Sequence, residues 1–110
     1  MDKLFISQNG GVLKKTNYND IYFITRENSK TYLVLKDAKA EVIATLNYLS
    51  EKLENNFLRT HKSYIINVDN IDTIEKISAN IFVAKFIDIH DTALITKSNM
   101  KIINERYKMI

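Results

Sequence analysis

The residues whose types suit binding or catalysis lie together in segment 57–71, FLRTHKSYIINVDNI. Five consecutive polar or basic side chains interrupt its apolar runs: Arg59, Thr60, His61, Lys62 and Ser63. On an extended segment His61 and Ser63 share a face, as a base and its nucleophile would, but a triad would need an aspartate from a distant part of the chain. Nothing else in the segment indicates an activated serine, so binding is favoured over catalysis.

Metal, cofactor and enzyme chemistry have little support in the sequence. The chain has no cysteine, and its two histidines, His61 and His90, are 29 positions apart. A zinc site would have to recruit carboxylates such as Asp88 and Asp91, but residues 88–91 are more simply interpreted as a polar turn. Glycine-rich phosphate loops, the HExxH zinc motif and the GxSxG hydrolase motif are absent. We therefore expect no enzyme activity, no small-molecule substrate, no metal and no cofactor.

The charge distribution permits a polyanionic partner. The chain has 16 basic and 13 acidic residues, a formal net charge of +3. Two stretches are locally basic: residues 57–67, with Arg59 and Lys62 and no acid, and residues 95–110, with Lys97, Lys101 and two further basic residues against one acid. Either stretch also fits an ordinary solvated surface, so charge alone does not identify the partner.

The elements that position these residues are predicted to be mainly strands. Alternating or β-branched runs predict strands at residues 4–7, 12–16, 20–25, 31–35, 64–68, 71–77, 81–87 and 92–96. Asn9-Gly10-Gly11 predicts a tight turn between the first two, and the polar residues 26–30 separate the next two. Because strands occur in runs rather than alternating with helices, we expect antiparallel sheets.

Helices are predicted in two places. One amphipathic helix is expected over residues 39–54, where an apolar stripe consists of Val42, Ile43, Leu46, Leu49 and Leu53. Its expected N-cap is Asp37, and its expected left-handed end is Asn55-Asn56. A short C-terminal helix, capped by Ser98 or Asn99, would place Met100, Ile103 and Tyr107 on one face.

Length and composition set the remaining expectations. A chain of 110 residues, 45% hydrophobic and 26% charged, predicts one globular domain spanning residues 1–110. The first residues, MDKLFISQNGG, do not form a signal peptide, and no apolar stretch is long enough to span a membrane. The absence of cysteine favours a reducing compartment. We therefore expect a soluble, cytoplasmic protein without a membrane partner.

Segment 57–71 closely resembles the F-x-R-x-H-[RK]-S-Y-[IVL]-[IVL]-N signature of the LytTR family of DNA-binding domains. Two flanking motifs agree in order: DI-x-[YF]-I at residues 20–24 and [ST]-[RK]-x-[NR] at residues 96–99. The resemblance extends over essentially the whole chain. It implies an elongated stack of small antiparallel β-sheets with one main helix, which inserts loop side chains into DNA major grooves.

The resemblance also implies a biological setting. Family members usually recognise paired direct repeats in double-stranded DNA, so two copies per site and a monomer in free solution are expected. They act as output domains of bacterial transcription regulators, commonly after a phosphoacceptor receiver domain. Because 110 residues leave no room for a receiver, the chain is expected to be free-standing or a fragment of a longer two-component response regulator.

The resemblance assigns DNA contacts to three places: Lys62, the pair Lys97 and Ser98, and a hairpin tip at Lys30 and Thr31. Many relatives have arginine in place of Lys62, and some have arginine in the second loop where this chain has Ser98. Lysine provides charge without the arginine fork, and a hydroxyl discriminates weakly between bases. Further candidates are Asn99 for adenine, Lys101 and Arg59 for phosphate, and His61, each with a structural role as the alternative.

Two other functions remain open. The substituted contacts suit a protein-interaction module that keeps the fold and has lost DNA binding. A single-strand binder would instead stack bases on exposed Tyr22 or Tyr32, although both tyrosines fit a strand core.

Overall fold

Alternation of apolar and polar residues folds just under half of this chain into strands. The structure, a computed structural model, describes residues 3–8 and 11–110. The elements in chain order are β1 (Lys3–Gln8), β2 (Val12–Asn17), β3 (Ile21–Glu27), β4 (Lys30–Leu35), β5 (Lys39–Val42), α1 (Leu46–Lys52), β6 (Phe57–His61), β7 (Tyr64–Asn67), β8 (Thr73–Lys76), β9 (Ile81–Lys85), β10 (Ala93–Thr96) and α2 (Lys97–Arg106). The mainly β class with two helices is thereby confirmed.

The strands form three sheets, and all their pairings are antiparallel. β1 and β2 form a two-stranded hairpin, β10-β9-β8 a three-stranded sheet, and β5-β4-β3-β7-β6 a five-stranded sheet. The molecule is elongated, with extents of 45 × 29 × 26 Å. Within the described ranges, no helix is long and apolar enough to cross a membrane.

The five-stranded sheet is the central layer because both of its faces are apolar. Phe23, Val34 and Ile66 pack on one face against residues of β9, β10 and α2. The next residue on β3, Ile24, packs on the opposite face with Ile65, and this side includes Leu46 of α1 and Ile6 of β1. Successive residues of a strand point to opposite faces of the sheet. Neighbouring residues such as Phe23 and Ile24 are therefore both buried, one on each face.

The helix predicted over residues 39–54 is wrong in its first half. Lys39–Val42 is the strand β5, which pairs with β4, and α1 covers only Leu46–Lys52. Ile43, assigned to the apolar stripe, is 66% exposed. The adjacent β-branched Val42 and Ile43 favour a strand, and the edge of β4 offers a partner that a helix period cannot reveal.

The predicted caps and the set of predicted strands also differ from the structure. Thr45 rather than Asp37 caps α1, its hydroxyl accepting a bond from the Tyr48 amide, and Thr96 caps α2. Asn55 and Asn56 do not take the left-handed conformation. Strand β6 was not among the predicted strands. The β1–β2 pairing is confirmed, while Asn9 and Gly10 of the predicted turn lie outside the described residues.

Candidate nucleic-acid interface

Lys62 lies in a two-residue turn between β6 and β7. His61 and Tyr64 are register partners, so the turn consists of Lys62 and Ser63 alone. Both apolar strands are anchored in the sheet, with Phe57 and Ile65 buried, and the Lys62 side chain is exposed. An ammonium group carried at the end of a rigid hairpin is suited to reach phosphate or a base edge in a groove.

Arg59 holds this turn through hydrogen bonds from its side chain. Its Nε donates to the His61 carbonyl at 2.9 Å, and its Nη2 donates to the Lys62 carbonyl at 2.6 Å. The third nitrogen, Nη1, donates to the side-chain oxygen of Asn47 in α1 at 2.9 Å. All three guanidinium nitrogens of this half-buried side chain therefore have protein acceptors, and Arg59 braces the turn that presents Lys62.

His61 is a second internal support of the turn. Its Nδ1 accepts a bond from the Ser63 amide at 3.0 Å, and its ring meets the Tyr64 ring edge-on with centroids 5.5 Å apart. Burial, with the adjacent charges of Lys62 and Arg59, lowers the pKa of His61 below its usual 6.5. The ring is therefore neutral at pH 7, as an Nδ1 acceptor requires.

The second predicted contact is the first turn of α2 rather than a loop. Lys97 and Ser98 are its first two residues, and both side chains are exposed, as is that of Lys101 one turn later. The hydroxyl of the cap residue Thr96 lies 3.2 Å from the Ser98 hydroxyl. The exposed amino groups of Lys97 and Lys101 suit phosphate binding, and the helix N-terminus adds a partial positive charge.

Thr60 and Asn99 connect the two contacts. The β6–β7 register shifts between Arg59 and His61, so Thr60 is a bulge residue that is fully buried. Its hydroxyl donates to the Leu94 carbonyl at 2.9 Å, and its own carbonyl accepts a bond from the Asn99 side-chain amide at 3.1 Å. The Asn99 amide also donates to the Thr96 hydroxyl at 2.9 Å. The bulge residue, two positions before Lys62, therefore holds the first turn of α2 close to the Lys62 turn.

The β3–β4 hairpin meets the same turn. The Arg26 amide donates to the Ser63 carbonyl at 3.0 Å, which places the end of β3 beside Lys62. Lys30 is exposed at the start of β4 and lies 3.9 Å from a carboxylate oxygen of Glu41. Thr31 is buried, with 1% of its surface exposed, and its hydroxyl accepts a bond from Arg26 Nη1 at 2.9 Å.

The sequence-predicted residues thus fall into two groups. Five have exposed side chains on or next to the three joined segments: Lys30, Lys62, Lys97, Ser98 and Lys101. Four are turned to internal partners or buried: Thr31, Arg59, His61 and Asn99. Arg26 was not among the predicted residues, although it is exposed beside the turn. Its position after an apolar strand and before a polar turn is the only sequence signal that marks it.

The tyrosines considered as base-stacking platforms are occupied. Tyr22 packs edge-on against Phe86 with ring centroids 5.6 Å apart, and its hydroxyl donates to Asp88 at 3.3 Å. The amino group of Lys39 lies 5.1 Å from the centroid of the Tyr32 ring. Both rings therefore already have a partner within the protein, whereas the side chains of Lys62, Lys97 and Lys101 are exposed.

Comparison with known proteins gives three matches. The family model of the LytTr DNA-binding domain matches residues 11–108. The transcriptional regulatory protein NatR of Bacillus subtilis is 30% identical over 89 residues, which are 80% of this chain but only 38% of NatR. Among solved structures, the LytTr DNA-binding domain of a methyl-accepting/DNA response regulator from Bacillus cereus is similar, with a TM-score of 0.80, 15% identity and 99% coverage of both chains. At that identity the similarity establishes the fold alone.

Proposed function

Because the chain belongs to the LytTR family of DNA-binding domains, we propose that it binds a specific double-stranded DNA sequence through side chains inserted into major grooves. The family acts in transcription regulation, and the similar protein NatR is named a transcriptional regulatory protein. Residues 1–110 would form a single output domain, either free-standing or preceded by a receiver domain in a longer regulator. A domain with this target would act in the cytoplasm.

One observation supports this function most strongly. Three segments that are far apart in the sequence are joined by the Arg26–Ser63 and Thr60–Asn99 hydrogen bonds, and each presents at least one exposed cation. We refer to these segments, 26–31, 60–63 and 96–101, as the basic surface. Convergence of exposed basic side chains on rigid hairpins and a helix start suits a polyanion with grooves.

The exposed residues of the basic surface are assigned different roles. Lys62, on the two-residue turn, would enter a major groove and donate to guanine oxygen or nitrogen, or to a neighbouring phosphate. Ser98 would approach a base edge from the start of α2, and Lys97, Lys101 and Lys30 would bind phosphates. Arg59, His61 and Asn99 would act indirectly by positioning the turns. Two copies of the domain would occupy direct repeats on one face of the duplex.

Selection from randomised duplexes tests the proposal. The purified domain is incubated with the pool, bound DNA is sequenced, and the selected duplex is measured by fluorescence anisotropy between about 50 and 200 mM salt. We expect a spaced direct repeat, with affinity reduced by roughly 1–3 kcal/mol in Lys62→Ala if Lys62 contacts a base. Lys36→Ala is the matched control because Lys36 is exposed beyond the opposite end of β4.

The alternative is a protein-interaction module that has lost DNA binding. Ser98, in place of a cation, and the buried Thr31 both motivate it, because each weakens a contact that relatives use. This alternative predicts that no duplex sequence is enriched and that any binding disappears with salt without sequence preference.

A further inference from the structure

The three arginines of the chain have different hydrogen-bond partners. All three guanidinium nitrogens of Arg59 donate to protein oxygens. Arg106, in the last turn of α2, donates to the carbonyl of Asn55, remote from the basic surface. Arg26 donates from Nη1 to Thr31, and its Nε and Nη2 make no hydrogen bond to the side chains and backbone that the structure describes. Arg26 is therefore the arginine of the basic surface that retains a free donor edge.

Backbone pairing fixes the position of Arg26 next to Lys62. Arg26 pairs with Thr31 across the β3–β4 hairpin, and its amide donates to Ser63, the residue after Lys62. The backbone on both sides of Arg26 is therefore held by neighbouring strands, while its side chain is exposed. A base contact from such a position would fall in the same groove as the contact of Lys62.

Thr31 fixes the orientation of the guanidinium. Its buried hydroxyl accepts the Nη1 bond at 2.9 Å and occupies one side of the planar group. The opposite side, formed by Nε and Nη2, presents two parallel N–H donors with the spacing of guanine O6 and N7. Holding the side chain before DNA arrives reduces the conformational entropy lost on binding. Thr31 therefore has a positioning role even though it does not reach the surface.

The acids near the hairpin do not neutralise Arg26. The Glu27 carboxylate is paired with Lys39 at 2.6 Å, and Glu41 is the partner of Lys30 at 3.9 Å. Arg26 thus keeps its charge available to DNA. It also supplies the fork that lysine at position 62 and serine at position 98 lack.

We infer that Arg26 is a specificity-determining residue, whose Nε and Nη2 donate to O6 and N7 of a guanine beside the base pair approached by Lys62. The inference rests on the proposed function and adds to it the base that is read and the residue that reads it. Bidentate arginine–guanine pairing is the commonest specific contact in major grooves.

The test compares wild type, Arg26→Lys and Lys36→Ala in the duplex selection. Arg26→Lys keeps the charge and removes the fork, so we expect the preference for one guanine to be lost while the salt dependence stays unchanged. Affinity for the wild-type sequence is expected to fall roughly tenfold, within the range of one bidentate contact. Lys36→Ala is expected to select the wild-type sequence. Thr31→Val, which leaves Arg26 in place without its acceptor, is expected to give a smaller loss.

A base analogue makes the test independent of folding. Replacing that guanine by 7-deazaguanine removes the N7 acceptor, so wild type should lose affinity and Arg26→Lys should show no further loss. Equal losses in both proteins, or an unchanged motif in Arg26→Lys, overturn the role of Arg26 while leaving the proposed function standing. If wild type enriches no sequence at all, the proposed function and this inference fail together.

Discussion

Two hairpin turns at the same end of the five-stranded sheet differ in backbone conformation and in what stabilises them. Both have two residues, Asn28-Ser29 between β3 and β4 and Lys62-Ser63 between β6 and β7. Asn28 and Ser29 have φ of 49° and 64°, the mirror-image geometry that matches strand twist. Lys62 and Ser63 have no positive φ, and their turn is held by Arg59 and His61 instead.

The difference shows how the protein frees a side chain for binding. A turn with negative φ matches strand twist less well, so the Lys62 turn requires the bulge at Thr60 and the bonds of Arg59. In return, any residue type fits position 62, since the backbone there imposes no left-handed conformation. The Asn28-Ser29 turn is locally stable but restricted in sequence, and the exposed Arg26 lies on the strand before it.

Arg59→Ala should have the largest effect on the Lys62 turn. It removes three charge-assisted bonds from a half-buried site, so we expect a loss of about 2–3 kcal/mol in the free energy of unfolding. DNA affinity should fall as well, because Lys62 is no longer held in place. Urea denaturation followed by circular dichroism measures the first effect, and anisotropy measures the second.

Arg59→Lys separates bracing from charge. An ammonium group cannot span the acceptors on His61, Lys62 and Asn47, so most of the stability loss should remain. Wild-type stability and affinity in Arg59→Lys would contradict the bracing role and would indicate that Arg59 serves through its charge alone.

The second prediction concerns pH and the same turn. Because the folded-state pKa of His61 lies below 6.5, the unfolded chain binds the proton more readily. The stability contributed by neutral His61 is therefore fully present above pH 6.5 and is lost as the pH falls through the folded-state pKa. In His61→Asn, whose amide oxygen can accept the Ser63 bond without titrating, the decrease in melting temperature between pH 7.5 and pH 5.5 should be smaller than in wild type. Equal decreases would show that other groups account for the pH dependence.

The smallest effect should come from exchanging serine for glycine in each turn. Ser29→Gly relieves a left-handed serine and creates an Asn-Gly pair, so we expect stabilisation of up to about 1 kcal/mol. Ser63→Gly, at a residue without positive φ, should destabilise by about 0.5–1 kcal/mol because glycine loses more conformational entropy on folding. Thermal melts of the two variants distinguish the turns, and stability changes of the same sign would show that the two turns do not differ in this way.

The local parts of the fold were predictable from the sequence. Alternation and turn residues indicate most strands of the three sheets, and the motif at residues 57–71 identifies the family. These features depend on neighbouring residues, such as the apolar run 64–68 or the polar residues 26–30. The helix predicted over residues 39–54 shows the limit of such local patterns. Val42 fits either the apolar stripe of a helix or a strand, and only its pairing partner β4 decides between them.

What only the tertiary structure decided is which polar side chains are free to bind. Arg59 and Lys62 are both basic and three residues apart, yet all three guanidinium nitrogens of Arg59 donate to protein oxygens and the side chain of Lys62 is exposed. Asn99 bonds a carbonyl 39 residues away, and Arg26 lies beside Ser63 only because β3 pairs with β7. Residue types and spacing determine the chemistry that each group can perform. Its availability depends on partners brought together by sheet pairing between distant segments, which no local pattern records.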